Sequence, residues 1–177
     1  MTPYAARIAE IERAPTQPRP VTVTVSTIVA VAHDCVLSWF VQRSPIGLFN
    51  GWGPIPGVAA VEEQSGPWLV AGSHRRLRLS DGHVVTEAVV QCELPVRFRY
   101  RMTGFAVPLH AMVEAIDGDW HCEPTGTSAT RIAWTYRMRP RHAAWIPVLW
   151  VMTHTAWRTY MRRNIRLVAR AAERELV

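Results

Sequence analysis

Between residues 21 and 141 apolar and polar positions alternate in short runs of period two, and from 143 to 176 the spacing becomes that of one long helix without an internal glycine. Seven strands are expected, at about 21–31, 58–64, 69–79, 83–94, 96–105, 111–123 and 128–139. The turn signals Ser80-Asp81-Gly82-His83 and Glu123-Pro124-Thr125-Gly126 separate neighbours tightly enough for hairpins, which predicts a mostly sequential antiparallel meander. The final helix places Trp145, Leu149, Met152, Ala156 and Tyr160 on one stripe and Ile146, Trp150, Trp157 and Met161 on the next. Beyond Arg158 it turns basic, with Arg162, Arg163, Arg166 and Arg170 near the end where the helix dipole favours positive charge.

Thr2 and Pro3 read as a helix start, followed by a narrow stripe of Tyr4, Ile8 and Ile11 that ends near Arg13. Pro15, Pro18 and Pro20 then form an extended linker, so 1–20 is read as an N-terminal helix and extension, and 21–177 as a single domain. After the first strand, His33 and Asp34 open a short helix to about residue 41, with Val36, Leu37 and Phe40 inward. Residues 44–57 hold three prolines and four glycines among Ile46, Leu48, Phe49, Trp52 and Ile55, an ordered loop with room for one helical turn. The fold class expected is α+β: a seven-stranded curved antiparallel sheet wrapped around a long C-terminal helix, with two short helices or an ordered loop after the first strand. Such an arrangement tends to enclose a cavity, the kind of space that holds apolar small molecules.

Alternation assigns directions to side chains. With Asp81 and Gly82 as a two-residue turn, Leu77 opposes Thr86, Arg75 opposes Ala88 and Ser73 opposes Val90, giving an inner face that is apolar apart from Arg75. The other face then sets Arg76 across from Glu87 as a surface ion pair. On the next strand Phe98, Tyr100 and Met102 point one way and Arg97, Arg99 and Arg101 the other, with Glu93 opposite Arg97 and Gln91 opposite Arg99. On the last, Ile132, Trp134, Tyr136 and Met138 alternate with Arg131, Arg137 and Arg139. The register around Asp117-Gly118-Asp119 is left open, because a glycine between two aspartates also fits a bulge.

At 177 residues with 49% hydrophobic and 19% charged content, the chain suits one ordered core. All 20 basic residues are arginine and the net charge is +6. Many of them fall on a solvated sheet face where Glu87, Glu93, Asp117, Asp119 and His121 partly neutralise them, so no nucleic-acid partner is expected. Three widely spaced cysteines, Cys35, Cys92 and Cys122, predict reduced, buried thiols rather than disulfides or zinc. No apolar leader is evident in the first twenty residues, and the longest apolar stretch falls short of the about 20 residues a bilayer span needs; the expected compartment is the cytoplasm. The seven histidines show no metal-ligand spacing, and neither a phosphate-cradling loop, a dinucleotide fingerprint nor a GxSxG elbow occurs, so no metal and no cofactor is expected.

The candidate chemistry lies on the inner face. Arg75 puts a permanent charge among apolar neighbours, where it calls for an anionic or carbonyl partner. Tyr100 and Tyr136 offer hydroxyls that orient a ligand or donate to an oxyanion, and His154, flanked by Thr153 and Thr155, offers an imidazole if it faces inward. These four are the catalytic candidates. Thr86, Val90, Phe98, Met102, Trp120, Trp134, Leu149, Met152 and Trp157 join Arg75 and the two tyrosines as expected ligand contacts. His110, after Pro108 and Leu109, sits at the expected cavity mouth.

The order of strand, short helices, six strands and closing helix over 21–176 resembles the helix-grip fold of the START and birch-pollen-allergen superfamily (SRPBCC), whose bacterial members include the polyketide cyclase/dehydrase and lipid-transport group. Its local echoes are GPIPGV at 53–58, LSDG at 79–82, EP at 123–124 and RIAWTYRMRPR at 131–141. The resemblance implies binding of a lipid, sterol, quinone, hormone or polyketide between sheet and helix, and in some members cyclisation or dehydration there. Three readings follow: a binding protein for a hydrophobic small molecule; a polyketide cyclase or dehydratase in which Arg75 stabilises an enolate and Tyr100, Tyr136 or His154 moves protons; and an interaction module that uses the N-terminal helix and the 46–55 loop as a partner or homodimer surface.

Overall fold

A computed structural model describes residues 18–177; the expected N-terminal helix lies outside them. Strand β1 (Val21–Val29) leads into helix α1 (His33–Gln42), whose Val36, Leu37, Phe40 and Val41 are buried. The chain then crosses to the far edge of the sheet and returns as a meander: β2 (Val58–Gln64), β3 (His74–Leu79), β4 (Val84–Glu93), β5 (Arg97–Thr103), a short helix α2 (Leu109–Met112), β6 (Val113–Pro124) and β7 (Thr130–Pro140). The order β1-β7-β6-β5-β4-β3-β2 makes one seven-stranded sheet with every pair antiparallel.

The closing helix is continuous but not uniform. A 3-10 turn (Ala143–Trp145) feeds α3 (Ile146–Met152), a π-helical turn (Thr153–Trp157) and α4 (Arg158–Leu176). Thr153 Oγ1 lies 3.2 Å from Met138 Sδ and seats the π turn on β7. In α4 the buried side is Tyr160, Met161, Asn164, Ile165, Val168 and the alanines behind them, and this side packs chiefly on β1. Arg162, Arg163, Arg166 and Arg170 stay exposed, as the amphipathic spacing predicts.

One short helix, not two, follows β1; residues 43–57 form the ordered loop, and its Leu48 and Ile55 are buried in the core. Asn164 holds this loop through its backbone: Asn50 N–H donates to Asn164 Oδ1 (2.9 Å) and Asn164 Nδ2 donates to Asn50 O (3.1 Å). The third strand starts at His74 rather than 69, because Trp68 turns back into the interior against Phe98. β6 carries no bulge at Asp117-Gly118-Asp119; its pairing with both neighbours runs unbroken there, and the irregularity lies at 113–115. All three cysteines are free, but Cys35 is exposed and Cys92 half-buried, which corrects the expectation of three buried thiols; burial pushes the Cys122 thiol up to about 12. Among the described residues no helix is long and apolar enough to cross a membrane.

Candidate functional site

The site is decided by one hairpin. Between β3 and β4 the loop has three residues, Ser80, Asp81 and Gly82: Leu79 N–H donates to His83 O (2.8 Å), and Asp81 Oδ1 accepts from His83 N–H (3.1 Å). Gly82 takes φ +86°, the left-handed conformation that such a loop assigns to glycine. The extra loop residue shifts every partner by one, so that Arg75 pairs with Glu87, Leu77 with Val85 and Arg76 with Thr86. This corrects the register expected from a two-residue turn. Thr86 faces outward beside Arg76, and Val90 is the additional residue of a bulge between Val89 and Gln91; neither lines the cavity. Glu87, expected outside across from Arg76, turns inward, and Arg76 instead meets Glu62 and Glu63 at 3.9 and 3.5 Å.

The inward residues surround a cavity of about 240 Å³ between sheet and closing helix. Leu77, Val85, Met102 and Ile116 form its sheet wall, Phe49 and Ile55 its loop wall, and Met152, Ala156, Trp157 and Tyr160 its helix wall. Met152, Ala156 and Tyr160 share the stripe that helical spacing predicts, and the π turn adds Trp157 to it. Arg158 N–H reaches back to Thr153 O, the i→i+5 spacing that brings Trp157 onto the side of Met152. Val107, 77% exposed, stands at the mouth with Pro108 and Leu109.

One end of this apolar space is polar. Arg75 and Glu87, 9% and 5% exposed, are joined by two short contacts to a single carboxylate oxygen: Arg75 Nε to Glu87 Oε2 at 2.7 Å and Arg75 Nη2 to the same oxygen at 2.6 Å. The Trp68 ring covers the guanidinium, its centroid 3.9 Å from Cζ, a cation–π contact. Three buried tyrosines complete the end. Trp134 Nε1 donates to Tyr100 Oη (3.3 Å), Tyr100 donates to Tyr136 Oη (3.3 Å), and Tyr136 donates to Met102 Sδ (3.8 Å). Burial raises the pKa of Tyr100, Tyr136 and Tyr160 above the ordinary phenol range, and the negative charge of Glu87 raises each further, so all three are protonated donors.

Gly118 makes room for that pair of rings. It stands between Tyr100 on β5 and Tyr136 on β7, and a Cβ there would lie 2.1 Å from Tyr100 Cζ. The tyrosine ring lies across the glycine, which is why β6 has no side chain at this point of its inner face.

The expected site residues therefore divide. Arg75, Tyr100, Met102, Tyr136, Met152 and Trp157 line the cavity. Phe98, Trp120, Trp134 and Leu149 are buried beyond its wall; Trp120 and Trp134 stack at 4.8 Å as core. His154 corrects its expectation: its ring stacks on exposed Trp150 at 4.5 Å, its Nδ1 meets Trp150 O at 2.9 Å, and it is absent from the cavity wall. His110 is exposed. Glu87, expected as an outer-face charge, and Tyr160, expected only as part of the closing-helix stripe, join the polar end, and Trp68, which carries no sequence signal for it, covers Arg75. The signal for Glu87 was present in Ser80-Asp81-Gly82, a sequence equally suited to a three-residue loop with glycine last. Among the described residues no group of three His, Cys, Asp or Glu is placed to hold a metal ion.

No family model matches the chain, and no curated protein sequence does. Solved structures share its fold. The di-domain ARO/CYC StfQ from the steffimycin biosynthetic pathway superposes with TM-score 0.62 at 15% identity over 88% of this chain and 52% of that one, so this chain spans about half of StfQ. Truncated norcoclaurine synthase from Thalictrum flavum gives TM-score 0.63 at 16% identity over 89% and 97%. Ginseng major latex-like protein 151 from Panax ginseng gives 0.59 at 16% identity over 90% and 99%. At these identities the likeness is one of fold, the helix-grip architecture.

Proposed function

We propose that this protein binds a hydrophobic small molecule in the cavity between sheet and closing helix, with the ligand's apolar body against Leu77, Val85, Met152 and Trp157 and its polar group toward Arg75, Glu87 and Tyr160. The observation that carries this reading is an apolar cavity of about 240 Å³ that ends in a few convergent polar groups, the usual form of a small-molecule site. The volume lies below the roughly 300–1,000 Å³ of drug-sized pockets, which favours a compact ligand. Native mass spectrometry of the purified protein, followed by organic extraction, tests it: a co-purifying apolar molecule supports the reading. Ala156→Trp, which fills the helix wall, is expected to abolish that retention while the protein stays folded; retention unchanged by Ala156→Trp counts against this cavity.

A polyketide cyclase or dehydratase is the second reading, favoured by the carboxylate of Glu87 beside protonated tyrosines at the cavity end. Fold neighbours described as an ARO/CYC and a norcoclaurine synthase make catalysis within this architecture a reasonable expectation. In that reading Glu87 takes a proton, Tyr160 donates to the developing oxyanion, and Arg75 orients Glu87. His154 takes no part. Glu87→Gln would then abolish turnover of a bound substrate, whereas a pure binding protein shows no turnover to lose.

A further inference from the structure

A lone guanidinium on an apolar face calls for an anionic ligand, and Arg75 read from the sequence does so. In the folded chain that demand is already met. Nε and Nη2 of Arg75 both contact Glu87 Oε2, at 2.7 and 2.6 Å, and Trp68 covers the guanidinium face. A ligand carboxylate entering here would meet the Glu87 carboxylate in a poorly solvated space, where like charges repel strongly. An ammonium would meet Arg75 instead.

What the pair leaves open is an acceptor. Glu87 lines the cavity, and its second oxygen, Oε1, has no hydrogen-bond donor among the described residues. A ligand hydroxyl placed there meets a charged acceptor that the protein itself leaves open, and hydrogen bonds to an ionised acceptor are stronger than those between neutral groups. Tyr160 supplies the complement. Tyr100 gives its proton to Tyr136 and Tyr136 gives its own to Met102, while Tyr160, also on the cavity wall, gives its hydroxyl to no acceptor among the described residues.

We propose, on the premise that the cavity is a ligand site, that it selects a compact neutral molecule bearing a hydroxyl donor, a phenol or an enol, over the corresponding carboxylic acid, with Glu87 Oε1 accepting the ligand's O–H and Tyr160 Oη donating to a ligand oxygen. The Arg75–Glu87 end sets this preference and the apolar walls the ligand's body; Asp81 and His83, which also line the cavity, are exposed and paired with each other at 3.3 Å.

Calorimetric titration of the full chain at pH 7.5 with 2-naphthol, 2-methoxynaphthalene and 2-naphthoate tests it, since the three share one ring system and differ in the polar group. The expected result is 2-naphthol tighter than either of the others by about tenfold or more. Tyr160→Phe should weaken 2-naphthol by about 2- to 10-fold, the worth of one net hydrogen bond. Glu87→Gln leaves Arg75 uncompensated, so 2-naphthoate should overtake 2-naphthol; should that variant fail to fold, the wild-type ranking and Tyr160→Phe still decide. Naphthoate binding as tightly as naphthol, or the methyl ether matching it, overturns the donor assignment and leaves the cavity standing as a ligand site. Failure of all three to bind overturns both.

Discussion

The two faces of the sheet solve the same problem in opposite ways. On the outer face, Asp117 and Asp119 of β6 each use both carboxylate oxygens: Asp117 meets Arg101 at 2.6 Å and Arg139 at 2.7 Å, and Asp119 meets Arg97 at 2.7 and 2.9 Å and Arg137 at 3.0 Å. On the inner face Glu87 gives Arg75 one oxygen only. The central position of β6 explains the first arrangement, since arginines approach from β5 on one side and β7 on the other. The outer network engages both oxygens of each aspartate and is structural. The inner pair leaves one carboxylate oxygen without a protein donor beside a cavity, the kind of placed polar group that the proposed ligand site would use.

The contrast can be broken most forcefully at the inner pair. Arg75→Ala strands the buried Glu87 carboxylate and should cost about 3–5 kcal/mol in urea denaturation, while the double variant Arg75→Met, Glu87→Leu should recover most of that loss. A double variant as unstable as the single one would show that the destabilisation comes from lost packing, not from an unpaired charge.

Asp119→Asn addresses the outer network, with an expected loss of about 1–3 kcal/mol at pH 7. Burial alone would raise the Asp119 carboxyl, but hydrogen bonds and charges from Arg97 and Arg137 outweigh it and hold the group below the ordinary range. A carboxyl lowered in the folded state stabilises fully above its unfolded value of about 3.9 and loses that contribution as pH falls through the folded value. The stability gap between wild type and Asp119→Asn should therefore be constant from pH 7 to about 5 and close below about 4. A gap that persists unchanged to pH 2 would assign it to packing.

The smallest effect is expected at the exposed pair of Arg78 with Glu62 on the β2–β3 edge. Arg78→Ala should change stability by no more than about 1 kcal/mol, and less in high salt.

Much of this architecture was legible from pattern alone. Period-two runs located seven strands, the helical run from 143 located the closing helix, and Phe98, Tyr100 and Met102 against Arg97, Arg99 and Arg101 assigned the faces of β5. Those assignments succeed because apolar residues on one parity and charged residues on the other leave a single choice. β4 offers no such choice. Val84, Val85, Val89 and Val90 occupy both parities, so the strand's own pattern does not say which side is inside, and one additional loop residue at Ser80-Asp81-Gly82 decides it. That residue exchanges Thr86 for Glu87 at the cavity and turns Arg75 from an unpaired cation into half of an ion pair.

The chain's sequence determined by itself the order of its elements, the polarity of most of its strands and the presence of an arginine on the inner wall, because local periodicity and turn chemistry act within a few residues. Only the tertiary structure decided the partner of Arg75, the joining of Trp157 to the stripe of Met152 and Tyr160 by the π-helical segment, the removal of His154 to the outside and the space over Gly118 that the tyrosine rings use. Each of these turns on a shift of one position in a hairpin or a helix, or on packing between neighbouring strands, which exchanges one side chain for another and which hydrophobic periodicity does not fix.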